Sequence, residues 1–286
     1  MDKVAIVTDS VACLPRKLAE KYHIHVVPAG NIYYEGQIHR DWIELDHDNV
    51  YRLLDSRPED FFTGPTTPVE FLDVYRELSL RTSNIIYISL SSKFSTLYNS
   101  ARTAKDLAKT ELPGINIEII DSRTATAAQG FITLAAARAA IEGKSRTEII
   151  DCAKIVRGRV DLFYVIETVK YVYRTGRVPR TIAQIGSKLN VRPIVTVRNG
   201  SARVRGLARN KEKGIDSLME LARRGINKRP VHMAVLHTDS SDKAESLKQK
   251  ISDEFQCVEL WISQFSPLMT YATGRGLIGI AFYVEH

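Results

Sequence analysis

Short β-rich runs alternate with helical patterns through the first half of the chain, and this alternation constrains the fold more than any other feature. Residues 4–7 form a compact apolar run, the signal of a buried strand, and Thr8-Asp9-Ser10 follows it. Pro15 opens a helix that carries Leu14, Leu18 and Ala19 inward. Residues 26–28 read as a second strand, and Tyr33-Tyr34-Glu35-Gly36 as a strand entering a tight turn. Pro68 begins an amphipathic helix with Phe71, Leu72, Tyr75 and Leu78 on one face. Residues 85–89 and 117–120 are two more strands, and two helices run on to about residue 157. The pattern predicts an α/β fold whose N-terminal domain has a mainly parallel sheet with helices on both faces.

The texture changes after about residue 161. Residues 193–198, then Asn199-Gly200, then 201–205 read as a hairpin, because Asn-Gly suits the positive φ angles of a type I′ turn. Residues 231–236 and 278–284 are further strands, with helices near 211–224 and 240–253. This predicts a C-terminal α+β domain with a mainly antiparallel sheet. A boundary near 155–162 divides the chain into domains of 1–158 and 159–286, both of ordinary size.

No apolar run approaches the ~18 residues that span a bilayer; the longest, 130–141, is broken by Arg138. The chain enters its first strand directly, with no signal-peptide pattern, so a cytoplasmic location is expected. Cys13, Cys152 and Cys257 are too few and too scattered for a disulfide framework or a zinc site and read as small buried apolar residues. The seven histidines show no metal spacing; His23 and His25 share a strand face but lack a third ligand. Forty Lys and Arg against 33 Asp and Glu leave a net charge of +7. The excess gathers at Arg192, Arg198, Arg203, Arg205, Arg209, Lys211 and Lys213, which is either a patch for an anionic partner or a solvated face.

Open α/β sheets bind ligands outside the carboxyl ends of their strands, and the candidate loops here are rich in hydroxyls. They are Thr8-Asp9-Ser10, Thr63-Gly64-Pro65-Thr66-Thr67, Ser89-Leu90-Ser91-Ser92-Lys93-Phe94-Ser95-Thr96 and Asp121-Ser122-Arg123. Any one of these residues suits a helix N-cap; four such loops at one sheet edge suit an anion site. There is no P-loop and no Gly-x-Gly-x-x-Gly after the first strand. A Gly-x-Ser-x-Gly elbow is also missing, and no motif places a histidine as base beside Asp9 and Ser10, so a hydrolase or transferase is the weaker alternative. Nucleic-acid binding, a second alternative, rests on the positive charge alone and has no recognised motif.

In order and spacing, several motifs together resemble the DegV family, the fatty-acid-binding subunits of bacterial fatty acid kinases. They are Thr8-Asp9-Ser10, the 63–68 segment, Ser91-Ser92-Lys93-Phe94-Ser95 with Tyr98-Asn99-Ser100-Ala101, and Ile120-Asp121-Ser122. Gly176-Arg177-Val178, Arg192-Pro193-Ile194, the Arg209 stretch and Thr273-Gly274-Arg275-Gly276 continue the match over nearly the whole chain. The resemblance implies a lipid-binding carrier, not a self-sufficient enzyme. A long-chain fatty acid such as palmitate, stearate or oleate would lie between the two domains, with no cofactor, no metal and no catalytic residue. It implies that Thr63 and Ser95, with Ser92 close by and Thr273 from the late glycine loop, hold the carboxylate. It further implies that Arg177 and Arg209 serve an ATP-dependent kinase partner and the acyl phosphate. Burying about 15 methylenes at ~0.8 kcal/mol each offers roughly 12 kcal/mol before ordering costs, so the tail would set affinity and the hydroxyls orientation.

Two segments depart from the family pattern. Tyr271-Ala272-Thr273-Gly274-Arg275-Gly276 stands where the family commonly has Thr-His-Thr-Gly-Pro-Gly, so Ala272 replaces a histidine that helps at the head group. Arg275 either faces the cavity mouth with Thr63 and Ser95 and restores the positive charge, or faces solvent. Gly64-Pro65-Thr66 replaces the usual Ser-Gln-Pro, which alters the head-group contacts expected there.

Overall fold

The computed structural model describes residues 3–34, 36–44, 50–52, 56, 62–176 and 191–285, with the backbone alone at residues 173 and 174. The chain divides into two compact units, Met1–Gly158 and Arg159–His286.

The first unit is built on a four-stranded sheet in the order β2-β1-β6-β7, formed by Ile24–Val27, Val4–Asp9, Asn84–Ser89 and Asn116–Asp121. Every neighbouring pair is parallel. Ile85, Ile86, Tyr87 and Ile88 of β6 are fully buried, which explains why this run carries no polar alternation. Helices among the described residues that accompany the sheet are α1 (Arg16–Lys21), α2 (Pro68–Ser79), α3 (Leu97–Glu111), α4 (Thr126–Ile141) and α5 (Arg146–Arg159). Helix α2 buries Phe71, Leu72, Tyr75 and Leu78, the stripe its periodicity predicts, and starts at a capping box of Thr67 and Glu70. Helix α4 buries Thr126 to Leu134 without a break and packs on β1 and the short turn Ser10–Ala12.

A second, antiparallel sheet in this unit is not foreseen from the sequence. Its order is β4-β3-β5, from Gln37–Arg40, Gly30–Tyr34 and Phe62–Pro65. The segment from Thr63, read above as loop, is thus partly strand. Gly64 and Pro65 have low strand propensity, and the tertiary pairing with β3 makes the segment a strand. The two backbones close tightly: a Cβ on Gly30 would lie 2.1 Å from the Gly64 carbonyl oxygen, so no larger residue fits there.

The second unit holds a six-stranded sheet in the order β10-β9-β8-β13-β11-β12. Its strands are Asp161–Val165 (β8), Arg192–Arg198 (β9), Ser201–Ala208 (β10), Val231–His237 (β11), Cys257–Gln264 (β12) and Ile278–Val284 (β13). Only the β11–β12 pair is parallel; the other four are antiparallel. Helices α6 (Lys170–Arg174), α7 (Lys211–Ile226), α8 (Ser241–Glu254) and α9 (Pro267–Thr273) complete the unit. Leu218 and Ala222 of α7 and Leu247 of α8 join Met233, Val235, Ile280 and Phe282 in its core. Strands β8 and β12 and helix α9 go beyond the elements the sequence pattern marks.

Cys13 is buried as expected, whereas Cys152 and Cys257 are only partly buried. No helix among the described residues is long and apolar enough to cross a membrane. The β9–β10 hairpin turns at Asn199 and Gly200, with φ of 52° and 79°, the two positive values that Asn-Gly predicts. Gly200→Val places a β-branched side chain at that angle. The expected loss is about 1–2 kcal/mol, read as a lower urea midpoint; an unchanged midpoint contradicts this account of the turn.

Candidate functional site

Because β1, β6 and β7 are parallel, their carboxyl ends deliver Asp9, Ser89 and Asp121 to one edge of the sheet. The loops there are stitched to one another. Ser122 N donates to Ser89 O (3.0 Å), and Ser91 N donates to Thr124 O (3.1 Å). Asp9 is fully buried, and its carboxylate accepts from Leu90 N (2.8 Å), the Tyr87 hydroxyl (2.9 Å), Gln129 Nε2 (3.0 Å) and Val11 N (3.2 Å). Burial disfavours its charged form and outweighs those four donors, so its pKa is raised from 3.8 to about 6. Ser10, 1% exposed, accepts from Ala29 N at 2.9 Å and donates its proton to the buried Asp41.

These contacts count against Asp9 and Ser10 as a catalytic pair. Both are inside the protein, and the serine proton goes to a carboxylate instead of a histidine base. Among the described residues no group of three His, Cys, Asp or Glu side chains could hold a metal ion.

The expected head-group residues differ in what their hydroxyls already do. Ser92 donates to Asp121 Oδ2 at 2.7 Å, so its one hydrogen is engaged. Thr273 donates to Met269 O at 2.8 Å within α9 and is engaged likewise. Ser95 only accepts, from Leu97 N at 3.2 Å in the first turn of α3, which leaves its hydrogen to donate elsewhere. Thr63, half-buried on β5 in register with Ile32, has no hydrogen-bond partner for its hydroxyl among the described residues. Thr63, Ser92 and Ser95 belong to the first unit; Thr273, Arg209 and Arg275 belong to the second.

The arginines divide in the same way. Arg275 is paired with Asp239, Nη2 to Oδ2 at 2.6 Å, so its charge is already met by a carboxylate of its own unit. Arg209 is exposed, and its guanidinium has no partner among the described residues. Arg177 lies outside the described residues. In the basic stretch, Arg192 is bound to Glu167 and Lys213 to Asp216, which removes part of the patch inferred from sequence.

Asp41, Tyr87 and Gln129 are absent from the sequence reading. Gln129 carries a visible signal, a polar residue inside the apolar run Ala127-Ala128-Gln129-Gly130-Phe131, where a buried side chain needs a polar partner. Asp41 and Tyr87 carry none, since each is defined only by contacts made through the fold.

A family model described as "Uncharacterised protein, DegV family" matches residues 3–285. A DegV domain-containing protein of Caldanaerobacter subterraneus subsp. tengcongensis is 33% identical over 283 residues, covering 99% of each chain. The crystal structure of DegV, a fatty acid binding protein from Bacillus subtilis, aligns with a TM-score of 0.88 at 27% identity over 100% of both chains. A structure described as "Fatty Acid Binding of a DegV family Protein from Thermus thermophilus" aligns with a TM-score of 0.90 at 24% identity, over 99% of this chain and 100% of that one; this likeness concerns the fold.

The raised pKa of Asp9 has a defined sign. The folded state holds the proton more tightly than the unfolded state, so stability is fully present below pH 3.8 and is lost as pH rises to about 6. The shift corresponds to about 3 kcal/mol. Thermal melts of the parent and Asp9→Asn between pH 4 and 7 read this directly: the stability of Asp9→Asn relative to the parent is expected to rise with pH across that window. Parallel curves contradict it.

Proposed function

We propose that this chain, which belongs to the DegV family, binds one long-chain fatty acid by its carboxylate and presents that end to a partner kinase for acyl phosphate formation. The observation that carries this reading is the pair of hydroxyl hydrogens at Thr63 and Ser95 that are uncommitted among the described residues. A carboxylate accepts without donating, and bonds to a charged acceptor are about twice as strong as neutral ones. Two half-buried donors with no partner of their own suit that acceptor. The start of α3 beside Ser95 adds the positive end of a helix dipole. A relative at 27% identity, DegV from Bacillus subtilis, is a fatty acid binding protein, which supports the ligand class.

Ser92 takes an indirect part in this proposal. Its bond to Asp121 fixes the loop that leads to Ser95. Arg209, exposed and without an acidic partner, suits a phosphate or an acidic face of the kinase, because a guanidinium binds oxygens in pairs and keeps its charge. Arg275 does not replace the missing histidine charge while it is bound to Asp239.

Two measurements test the reading. Denaturing extraction and mass spectrometry of the purified protein should yield a stoichiometric C16 or C18 acid. If no acyl species is found and added palmitate or oleate does not bind, the lipid reading fails. Thr63→Ala should weaken palmitate binding by roughly 10- to 100-fold, the worth of a hydrogen bond to a charged group. The same change should leave the melting temperature of the unliganded protein unaltered, since the hydroxyl has no partner there. Ser95→Ala should weaken binding similarly and also cost about 0.5–2 kcal/mol of stability, because it releases Leu97 N.

A further inference from the structure

The two segments that carry Ser95 and Thr63 are far apart in sequence, yet both are tied to consecutive residues at the end of β1. Asp9 holds the first. Its carboxylate accepts from Leu90 N, the first residue of the segment running to Ser95, and is itself fixed by Tyr87 and Gln129. Ser10 holds the second. Its hydroxyl accepts from Ala29 N, just before β3, and donates to Asp41, just after β4. Asp41 N donates to Gly30 O at 3.1 Å, and Thr66 N donates to Ala29 O at 3.3 Å. Thr66 Oγ1 also reaches Pro28 O at 2.5 Å. The points where the chain enters β3 and leaves β4, side by side at one end of the small sheet that contains Thr63, are therefore both bound to Ser10.

From this geometry we infer that Asp9 and Ser10 are a positioning pair that fixes the Thr63 segment relative to the Ser95 segment, and so makes the site select a carboxylate over a head group with a single oxygen. The inference rests on the fatty-acid reading above and deepens it. A carboxylate has two oxygens at a fixed separation, and two donors engage both only if their spacing is held. A hydroxyl head group has one oxygen and does not depend on that spacing. Adjacent side chains at the end of one buried strand supply a common reference that surface loops lack.

The test compares palmitate with 1-hexadecanol, two ligands with the same tail, on the full chain. Dissociation constants are measured for the parent, Asp9→Asn, Ser10→Ala and Tyr75→Phe, at temperatures below each melting point. Tyr75→Phe removes a buried hydroxyl that reaches Ala101 O and leaves both clamps intact. The parent should prefer the acid by at least about tenfold. Asp9→Asn and Ser10→Ala should reduce that preference by at least about threefold, with hexadecanol binding little changed, while Tyr75→Phe keeps the parent ratio. A general loss of stability would weaken both ligands together and leave the ratio alone. Parent-like ratios in both clamp variants overturn the positioning role and leave the fatty-acid reading standing. If Asp9→Asn does not fold, Ser10→Ala decides by itself. A parent that binds neither ligand overturns the fatty-acid reading and the positioning role with it; a parent that binds both equally overturns the positioning role and leaves fatty-acid binding standing.

Discussion

A carboxylate inside a protein must either lose its charge or be surrounded by donors, and Asp9 is the place where this chain meets that requirement. Four donors from four parts of the chain converge on it: a strand tyrosine, a helix glutamine, a loop amide and the amide two residues ahead. Gln129 Nε2 also reaches Thr8 Oγ1 and Ile88 O, so the same junction ties in the strand beside it. The end of the central strand, the beginning of the serine-rich loop and the first turns of α4 are therefore settled together. The hydroxyl-bearing edge of the sheet follows from that junction, as its loops leave strands whose ends are already registered.

Features fixed by near neighbours were legible in the sequence. Pro68 announces the start of α2, and Asn199-Gly200 announces its turn whatever surrounds it. The unbroken apolar run of β6 shows that both faces of that strand are covered. Features fixed by distant partners were not legible. Phe62 to Pro65 contains a glycine and a proline and becomes a strand only because β3 lies beside it. Asp41 reads as an ordinary charged residue after a strand, and only Ser10, 31 positions earlier, shows that it is buried. At the candidate site, hydroxyl content picked out the loops, but which hydroxyls were already engaged depended on Asp121 and Met269, and sequence offers no way to know that.

The late glycine loop illustrates how a departure from a family pattern can mislead. A gained arginine next to a lost histidine invites the idea of compensation within one site. Arg275 has instead acquired a partner nearby, Asp239, at a residue whose φ of 44° already marks a sharp turn after β11. The pair links two turns of the second unit. Its charge faces a carboxylate of its own unit, and Ala272, 6% exposed, is buried.

Thr63 and Ser95 also stand under unequal selection. Ser95 serves the chain twice, as an acceptor for α3 and as a donor in reserve, so a replacement there must satisfy both folding and binding. Thr63 has no hydroxyl partner among the described residues, and folding asks only that its side chain fit opposite Ile32. If Thr63 holds the ligand as proposed, drift at position 63 would be restrained by that ligand more than by folding. When such a lineage changes its ligand, the first substitution that survives is expected at position 63, with position 95 following only after the helix start has found another cap.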